Sequence, residues 1–184
     1  MLKVFGHSDV YVLDDGMPAW IQAGKELEQG PPSAIEPVEY GIPQFHPELN
    51  KTYEQVLEIA ATGDPKKPQI LDARPEGRFK GTETEPRPGL SSGHMPDAVS
   101  VPFSSLLDPD TKKFLSRDKL RKLFLEGKHI DESRPVVASC GTGVTASSIY
   151  LALEIAGIKS PKAVYDGSWT EWASRADGSM IMKN

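Results

Sequence analysis

The sequence predicts an α/β fold with a mainly parallel sheet of about five strands and helices on both of its faces. Two patterns predict it. From residue 52 onward, short apolar runs of strand type alternate with helical patterns, as in folds where a helix connects each strand to the next parallel strand. Residues 135–139 form a nearly continuous apolar run, which is typical of a strand buried on both faces. With 184 residues, 38% of them hydrophobic and 26% charged, the chain can bury a core.

The first 50 residues carry two different patterns. Residues 10–13 are apolar and predict a strand, and residues 14–18 predict a turn into a short helix, with Pro18 in its first turn. Residues 25–50 contain five prolines and little periodicity. They predict an extended linker that wraps a surface.

The remaining elements are predicted from apolar spacing and end signals. Thr52 and Gln55 form a capping box, which marks the start of a helix. The elements after that helix are, in chain order, a strand at 69–72, a helical turn at 75–79, a strand at 98–101, an amphipathic helix at 117–126 capped by Gly127, a strand at 135–139, a helix from 146 that ends at Gly157, a strand at 163–165 and a final helix. Residues 81–93 are polar and too long for a plain turn, so we predict a functional loop there.

Charge and cysteine usage exclude several classes of protein. The net charge is −5, which argues against direct nucleic-acid binding and against an anionic membrane surface, because both need surplus Lys and Arg. No apolar run approaches the roughly 20 residues that span a bilayer. Cys140 is the single cysteine, so an intramolecular disulfide and a zinc site built on several cysteines are excluded.

A short internal repeat links the two ends of the chain. Val12-Leu13-Asp14 with Trp20 matches Val164-Tyr165-Asp166 with Trp172: an apolar strand end, an aspartate, and a tryptophan six residues later. Two interpretations are open, namely chance similarity of two strand–turn–helix units, or the tail of an earlier copy of the domain.

Cys140 stands between a predicted buried strand and a helix, where ligands bind in parallel α/β sheets. Gly141 and Gly143 let the backbone curl, so several N–H groups can point at one centre beside the positive helix end. Such a site stabilises a negative charge on sulfur, in a thiolate or a persulfide. The alternative is a structural cysteine in a close-packed turn. A cysteine phosphatase is poorly supported, because position 146 is Ala where its phosphate-binding Arg would stand.

The loop Cys140-Gly-Thr-Gly-Val-Thr-Ala resembles the active-site loop of the rhodanese superfamily, particularly its mercaptopyruvate sulfurtransferase branch. Supporting blocks occur in the family's order: Asp72-Ala-Arg-Pro-Glu-Gly-Arg-Phe79, Glu85-Pro-Arg-Pro-Gly-Leu90, Gly93-His-Met-Pro96, Val101-Pro-Phe103 and Tyr165-Asp-Gly-Ser-Trp-Thr-Glu-Trp172. The resemblance implies a catalytic rhodanese-like domain at 51–184, a linker at 25–50, and a remnant of a preceding non-catalytic copy at 1–24.

The resemblance implies a sulfurtransferase that moves the sulfur of 3-mercaptopyruvate through a Cys140 persulfide to a thiol acceptor and releases pyruvate. Thioredoxin, cyanide or a sulfur-relay protein, including one that serves tRNA thiolation, is the implied acceptor. No metal or organic cofactor is implied, and the compartment is cytoplasmic or mitochondrial. Two alternatives stay open: a thiosulfate sulfurtransferase, and a module that carries persulfide without turnover.

Arg78 and Arg87 match the family's two substrate arginines. A planar guanidinium grips a 2-oxo carboxylate by paired hydrogen bonds. Their alternative role is surface ion pairing with Glu76, Glu83 or Glu85. Gly141 and Thr142 are neutral where thiosulfate-preferring relatives are basic, which favours a carboxylate substrate.

The other site residues are assigned by the resemblance. Thr142 stands where the family usually has a catalytic serine, and its hydroxyl relays a proton or holds substrate. In the family that hydroxyl works with a His and an Asp of the preceding copy, and none of the four histidines here matches. The further substrate-binding positions of the loop are Gly141, Gly143, Val144 and Thr145. Asp72 and Arg74 brace the loop from beneath, and His94 is structural.

The head of the chain, residues 1–24, carries an apolar face. Its members are Val10, Val12, Leu13, Trp20 and Ile21. Because such a face is unfavourable in water, we predict that the head folds back beside the Cys140 loop or pairs with a second copy in a homodimer.

Overall fold

The computed structural model describes residues 1–14 and 16–184, and a five-stranded parallel sheet forms its centre. The strands are β1 (Asn50–Lys51), β2 (Gln69–Asp72), β3 (Val99–Ser100), β4 (Val136–Ser139) and β5 (Lys162–Tyr165). They lie in the order β1-β5-β4-β2-β3, and every neighbouring pair is parallel. The predicted α/β fold with a parallel sheet of about five strands is confirmed.

Helices cover both faces of the sheet. The helices are α1 (Gly16–Gln22), α2 (Tyr53–Ala61), α3 (Glu76–Lys80), α4 (Arg117–Lys122), α5 (Ala146–Ile155) and α6 (Ser168–Arg175). Leu71 of β2 packs on one face against α4 and α5, whereas its neighbour Ile70 packs on the other face against α2 and α6. This alternation buries both sides of the central strands, as the apolar run in β4 predicts.

The predicted start of α2 is confirmed at atomic level. The Oγ1 of Thr52 accepts the N–H of Gln55 at 3.4 Å, and the Oε1 of Gln55 accepts the N–H of Thr52 at 3.1 Å. Two otherwise unpaired N–H groups are thereby satisfied. The side chains of Tyr53, Val56 and Ala60 follow on the buried face of the helix.

The predicted cap of α4 at Gly127 is wrong. After α4 the chain widens into a π-helical turn over Leu123–Gly127, and Lys128 caps that turn with an N–H bond to the Leu123 carbonyl at 2.9 Å. His129 then takes the left-handed conformation, with φ 54°. The wider turn keeps Phe124 fully buried, so core packing overrides the glycine stop signal.

The predicted strand at residues 10–13 is also wrong. Within the described residues this segment pairs with no strand, and Tyr11 is 88% exposed. A strand needs a neighbour for its backbone groups, and among the described residues this segment pairs with neither edge strand of the sheet, β1 or β3. The short helix that follows is confirmed as α1, whereas Asp15 of the predicted turn lies outside the described residues.

Residues 1–5 contact the folded domain, whereas α1 is not part of this contact. The Val4 carbonyl accepts the His46 N–H at 2.7 Å, and the segment lines an apolar cavity of about 540 Å³ together with Gly143. Trp20 of α1 remains 39% exposed. Folding back of the head is therefore observed at its start only, and pairing of α1 with a second copy stays a prediction.

The predicted linker is extended but does not lie against a surface along most of its length. Residues 25–46 form no regular secondary structure, and Ile35 and Ile42 are 87% and 98% exposed. The sheet begins at Asn50, the last residue of the predicted linker. No helix formed by the described part of the chain is long and apolar enough to cross a bilayer.

Candidate active site

Cys140 directly follows β4 at the carboxyl edge of the sheet and is only 1% exposed. It lies at the base of a cavity of about 600 Å³. The predicted site residues that line this cavity are Cys140, Gly141, Thr142, Val144, Thr145, Arg74, Arg78 and Arg87. Gly143 faces the other cavity, at the head, and Asp72 is buried beneath the site.

The loop after Cys140 offers a row of free N–H donors. None of residues 141–145 donates its N–H to an acceptor among the described residues. The carbonyls of Cys140 and Gly141 accept the N–H groups of Trp169 and Thr170 at 2.9 and 3.0 Å. The C=O and the N–H of one trans peptide point in opposite directions. Because both carbonyls point toward the start of α6, the N–H groups of the same two peptides, those of Gly141 and Thr142, point away from α6. Free N–H groups at such a position are available to stabilise an anion.

Gly143 fixes the shape of the loop. Its φ is +82°, and a Cβ there would lie 2.7 Å from the Asp166 carbonyl oxygen, so only glycine fits without displacement. Gly141 differs from the prediction, because it has no positive φ and a Cβ there would meet nothing within 4 Å. The curl of the loop thus depends on Gly143, and Gly141 leaves open space at the cavity.

Ser168 is a site residue that the sequence did not predict. It is fully buried, its Oγ accepts the Cys140 N–H at 3.1 Å, and it donates to the Tyr165 carbonyl at 2.7 Å. It therefore holds the start of the Cys140 loop against the turn after β5. The Tyr165 hydroxyl in turn donates to Glu171, and burial raises the pKa of Tyr165 above its ordinary value, so this hydroxyl stays a donor.

Arg74 joins the sheet to the polar loop at residues 81–93. Its guanidinium forms hydrogen bonds to both Asp72 carboxylate oxygens, to Glu85 at 2.8 Å and to the Gly93 carbonyl at 2.6 Å. The side chains of Arg74, Asp72 and Glu85 are at most 4% exposed. The guanidinium also stacks on the ring of Trp169 at 4.0 Å. The loop that carries Arg87 is thus anchored through one buried cation.

The C-terminal segment closes the two ends of the same loop. His94 and Met182 exchange backbone hydrogen bonds at 2.8 and 2.9 Å, and the Lys80 carbonyl accepts the Asn184 N–H at 3.2 Å. The His94 ring contacts the Phe79 carbonyl at 2.9 Å and stacks on the Phe79 ring. His94 thus holds neighbouring backbone, as a structural histidine does.

Arg78 and Arg87 bring positive charge to the cavity that carboxylates do not neutralise. Within the described residues neither guanidinium forms an ion pair: Glu76 pairs with Lys80, Glu85 pairs with Arg74, and Glu83 pairs with neither Arg78 nor Arg87. The Lys80 hydrogen bond holds the pKa of Glu76 below its ordinary value. The structure therefore does not contain the surface ion pairs proposed as the alternative role of Arg78 and Arg87.

No group of three or more His, Cys, Asp or Glu side chains among residues 1–14 and 16–184 is arranged to hold a metal ion. The arrangement consists of a buried thiol, a row of N–H donors and two guanidiniums around one cavity. Chemically, this combination suits a nucleophilic sulfur that attacks a small anionic substrate.

Known proteins resemble the chain along nearly its full length. Mouse 3-mercaptopyruvate sulfurtransferase is 40% identical over 182 residues, which cover 99% of this chain and 59% of the mouse protein. Thiosulfate sulfurtransferase of Gallus gallus is 41% identical over 176 residues, which cover 96% and 57% of the two chains. The sulfur transferase subunit solved with yeast mitochondrial complex I superimposes with a TM-score of 0.87 at 41% identity, covering 100% of this chain and 65% of that chain.

The chain thus spans less than two thirds of each of these relatives. Residues 52–175 match the Rhodanese-like domain, which is more than half of the chain, and the sheet and its helices have the corresponding fold. The chain therefore belongs to the rhodanese-like domain family.

Proposed function

We propose that this chain is a sulfurtransferase domain that takes the sulfur of 3-mercaptopyruvate as a Cys140 persulfide. The observation that carries the proposal is the cavity that Cys140 and the start of its loop share with Arg78 and Arg87, together with the N–H groups that this loop leaves without an acceptor among the described residues. The names of the mouse and Gallus gallus relatives, each a sulfurtransferase, support the reaction class.

The reaction follows from the groups around Cys140. The thiolate attacks the substrate sulfur, so a sulfur–sulfur bond forms and the carbon–sulfur bond breaks. The electron pair of the broken bond leaves with the carbon as the enolate of pyruvate, which takes up a proton. The free N–H groups of the loop residues that line the cavity, Gly141, Thr142, Val144 and Thr145, stabilise the negative charge on the outer sulfur of the persulfide.

A second thiol completes the cycle. Its thiolate attacks the outer sulfur, takes it as a new persulfide and releases the Cys140 thiolate; cyanide accepts the same sulfur as thiocyanate. We propose thioredoxin or a sulfur-relay protein as the acceptor, one serving tRNA thiolation included, in the cytoplasm or mitochondrion. The yeast neighbour is described as mitochondrial.

Thr142 lies at the cavity, and we propose that its hydroxyl relays the proton to the enolate or holds the substrate oxygen. The same proposal treats residues 51–184 as the catalytic domain, 25–50 as a linker and 1–24 as a remnant of a preceding copy that offers a surface for a homodimer. Thiosulfate transfer is the second candidate function, favoured by the 41% identity to the Gallus gallus enzyme.

One experiment tests the proposal directly. The purified chain is incubated with 3-mercaptopyruvate, and intact mass spectrometry measures whether one sulfur atom is added and whether thioredoxin or cyanide removes it. We expect both. A chain that gains no sulfur from 3-mercaptopyruvate contradicts the proposal, and one that gains sulfur but never releases it is a persulfide carrier.

Replacing Arg78 or Arg87 with Ala should lower kcat/KM for 3-mercaptopyruvate by roughly 10–150-fold, because a lost charge-assisted contact costs about 1.5–3 kcal/mol. Steady-state pyruvate release measures it. Arg121→Ala is a matched control, since Arg121 pairs with Glu132 and does not line the cavity. Values within about twofold of the unmodified chain for both cavity variants would assign the two arginines to the surface.

Replacing Gly141 with Arg and Thr142 with Lys should move the preference toward thiosulfate. The dianion gains from adjacent cations, by about tenfold or more in the ratio of the two kcat/KM values. The open space at Gly141 accepts a side chain. The neutral control places Gln at both positions; equal ratios in the two double variants would show that loop charge does not select the substrate.

A further inference from the structure

We propose that Thr170 is a positioning residue that ties the guanidinium of Arg87 to the Cys140 loop. The Thr170 Oγ1 accepts a hydrogen bond from the Arg87 Nη1 at 3.2 Å and donates one to the Gly141 carbonyl at 2.7 Å. The inference rests on the proposed function, since it concerns how that site recognises a carboxylate.

The direction of these two bonds is fixed by their chemistry. A guanidinium has only donors and a carbonyl only lone pairs, whereas a hydroxyl has one proton and two lone pairs. The Thr170 hydroxyl therefore donates its proton to Gly141 and presents a lone pair to Arg87. The Thr170 N–H donates to the same Gly141 carbonyl at 3.0 Å, so residue 170 holds the loop by two bonds and Arg87 by one.

Thr170 positions Arg87 without neutralising it. Arg74 shows the contrast, because it is buried between the carboxylates of Asp72 and Glu85 and its charge is fully compensated. Arg87 is exposed, and its guanidinium has no carboxylate partner among the described residues. A single neutral hydrogen bond restricts the rotamers of a long side chain and leaves the remaining N–H donors and the whole charge for a ligand.

The bonds of Thr170 to both Arg87 and Gly141 affect which substrate the site prefers. Thr170 sets the separation between the Cys140 loop and the guanidinium, because both are bonded to the same side chain. A substrate fits when its transferable sulfur and its carboxylate stand at that separation. We infer that Thr170 favours a sulfur donor with a carboxylate at a fixed distance from the sulfur over a compact dianion such as thiosulfate.

Thr170→Val removes the hydroxyl at nearly equal volume and keeps the backbone bond to Gly141. We expect it to lower kcat/KM for 3-mercaptopyruvate by about three- to tenfold, mainly through KM, and to lower the preference over thiosulfate. Thr170→Ser restores the hydroxyl and should stay within about twofold of the unmodified chain. Thr170→Asp should weaken substrate binding more than Val does, because it places a negative charge beside Arg87, where the substrate carboxylate binds.

A double-mutant cycle separates positioning from a general effect on the fold. If Thr170 acts through Arg87, Thr170→Val has no further effect on KM in the Arg87→Ala background. An equal effect in both backgrounds, or a KM within about twofold in Thr170→Val alone, overturns the proposal.

Protection of Cys140 against alkylation by iodoacetamide provides a readout that does not need turnover. Pyruvate supplies the carboxylate, and Thr170→Val should raise the pyruvate concentration that protects half of the Cys140 by about three- to tenfold, each chain being compared with its own alkylation rate in the absence of pyruvate. A wild-type chain that pyruvate does not protect contradicts the role of Thr170. A chain that pyruvate protects but that never gains sulfur contradicts the proposed function instead.

Discussion

Cys140→Ser is expected to abolish sulfur transfer, with turnover below about one-thousandth of the unmodified chain. A serine hydroxyl is not ionised at neutral pH and attacks sulfur poorly, and an oxygen–sulfur bond does not replace the persulfide as a stable intermediate. The change is small in the fold, because serine has nearly the same size and shape as cysteine and the Cys140 N–H bond to Ser168 does not involve the Cys140 side chain.

The measurement is pyruvate release together with intact mass after incubation with 3-mercaptopyruvate. The serine variant should gain no sulfur, and its melting temperature should match that of the unmodified chain, which excludes unfolding as the cause. Turnover near the unmodified level, or sulfur bound elsewhere in the variant, would show that Cys140 is not the carrier.

The position of Cys140 could be predicted because it depends on the buried strand before it. Residues 135–139 are apolar on both faces of the strand, and the structure places β4 at Val136–Ser139. Apolar burial and helix caps act over a few neighbouring residues, so the sequence pattern reports them. The same reason explains why α2 begins at its predicted start and α5 lies close to its predicted range.

Two segments show that a local sequence pattern is not sufficient to predict a strand. Asn50–Lys51 is a polar pair with no strand signal, yet it forms β1 because Val164 and Tyr165 of β5 offer an edge. Residues 10–13 have the opposite combination, with an apolar sequence and no partner in the described structure. Strand formation depends on the neighbouring strand at least as much as on the residues themselves.

The supporting residues of the site could not be predicted for a related reason. Cys140 and Ser168 are 28 residues apart, and Arg87 and Thr170 are 83 residues apart. Ser168 and Thr170 are single polar side chains in the first turn of α6. No periodic sequence pattern indicates what they contact. The blocks Glu85–Leu90 and Tyr165–Trp172 carry them, but only the fold shows that Glu85 anchors Arg74 and that Thr170 contacts Arg87.

Arg74→Met is expected to lower the free energy of unfolding by about 3–5 kcal/mol, because it leaves buried carboxylates without their cation. Asp72 and Glu85 are 1% and 4% exposed at their side chains. Methionine fills a similar volume against Trp169 but donates no hydrogen bond. Urea titration of the two chains measures the difference, and kcat/KM should fall as well, because the anchor of the Arg87 loop is lost.

A surface pair of the same chemistry provides the matched control for Arg74→Met. Arg121 donates to both carboxylate oxygens of Glu132, at 2.9 and 2.8 Å, but the two side chains are 39% and 47% exposed. Solvent screens such a pair, so Arg121→Met should cost at most about 1 kcal/mol. If both variants lose the same stability, burial is not what makes Arg74 important.

Neutralising the carboxylates of Asp72 and Glu85, the two partners of Arg74, distinguishes the loss of ion pairing from the loss of packing in Arg74→Met. In a variant that combines Arg74→Met with Asp72→Asn and Glu85→Gln, no carboxylate is left buried and unpaired, so part of the lost stability should return. Activity should not return with it, because two amides and a thioether do not rebuild the fork of hydrogen bonds that holds residues 81–93. A triple variant no more stable than Arg74→Met would show that packing on Trp169, rather than charge compensation, is the main contribution of Arg74.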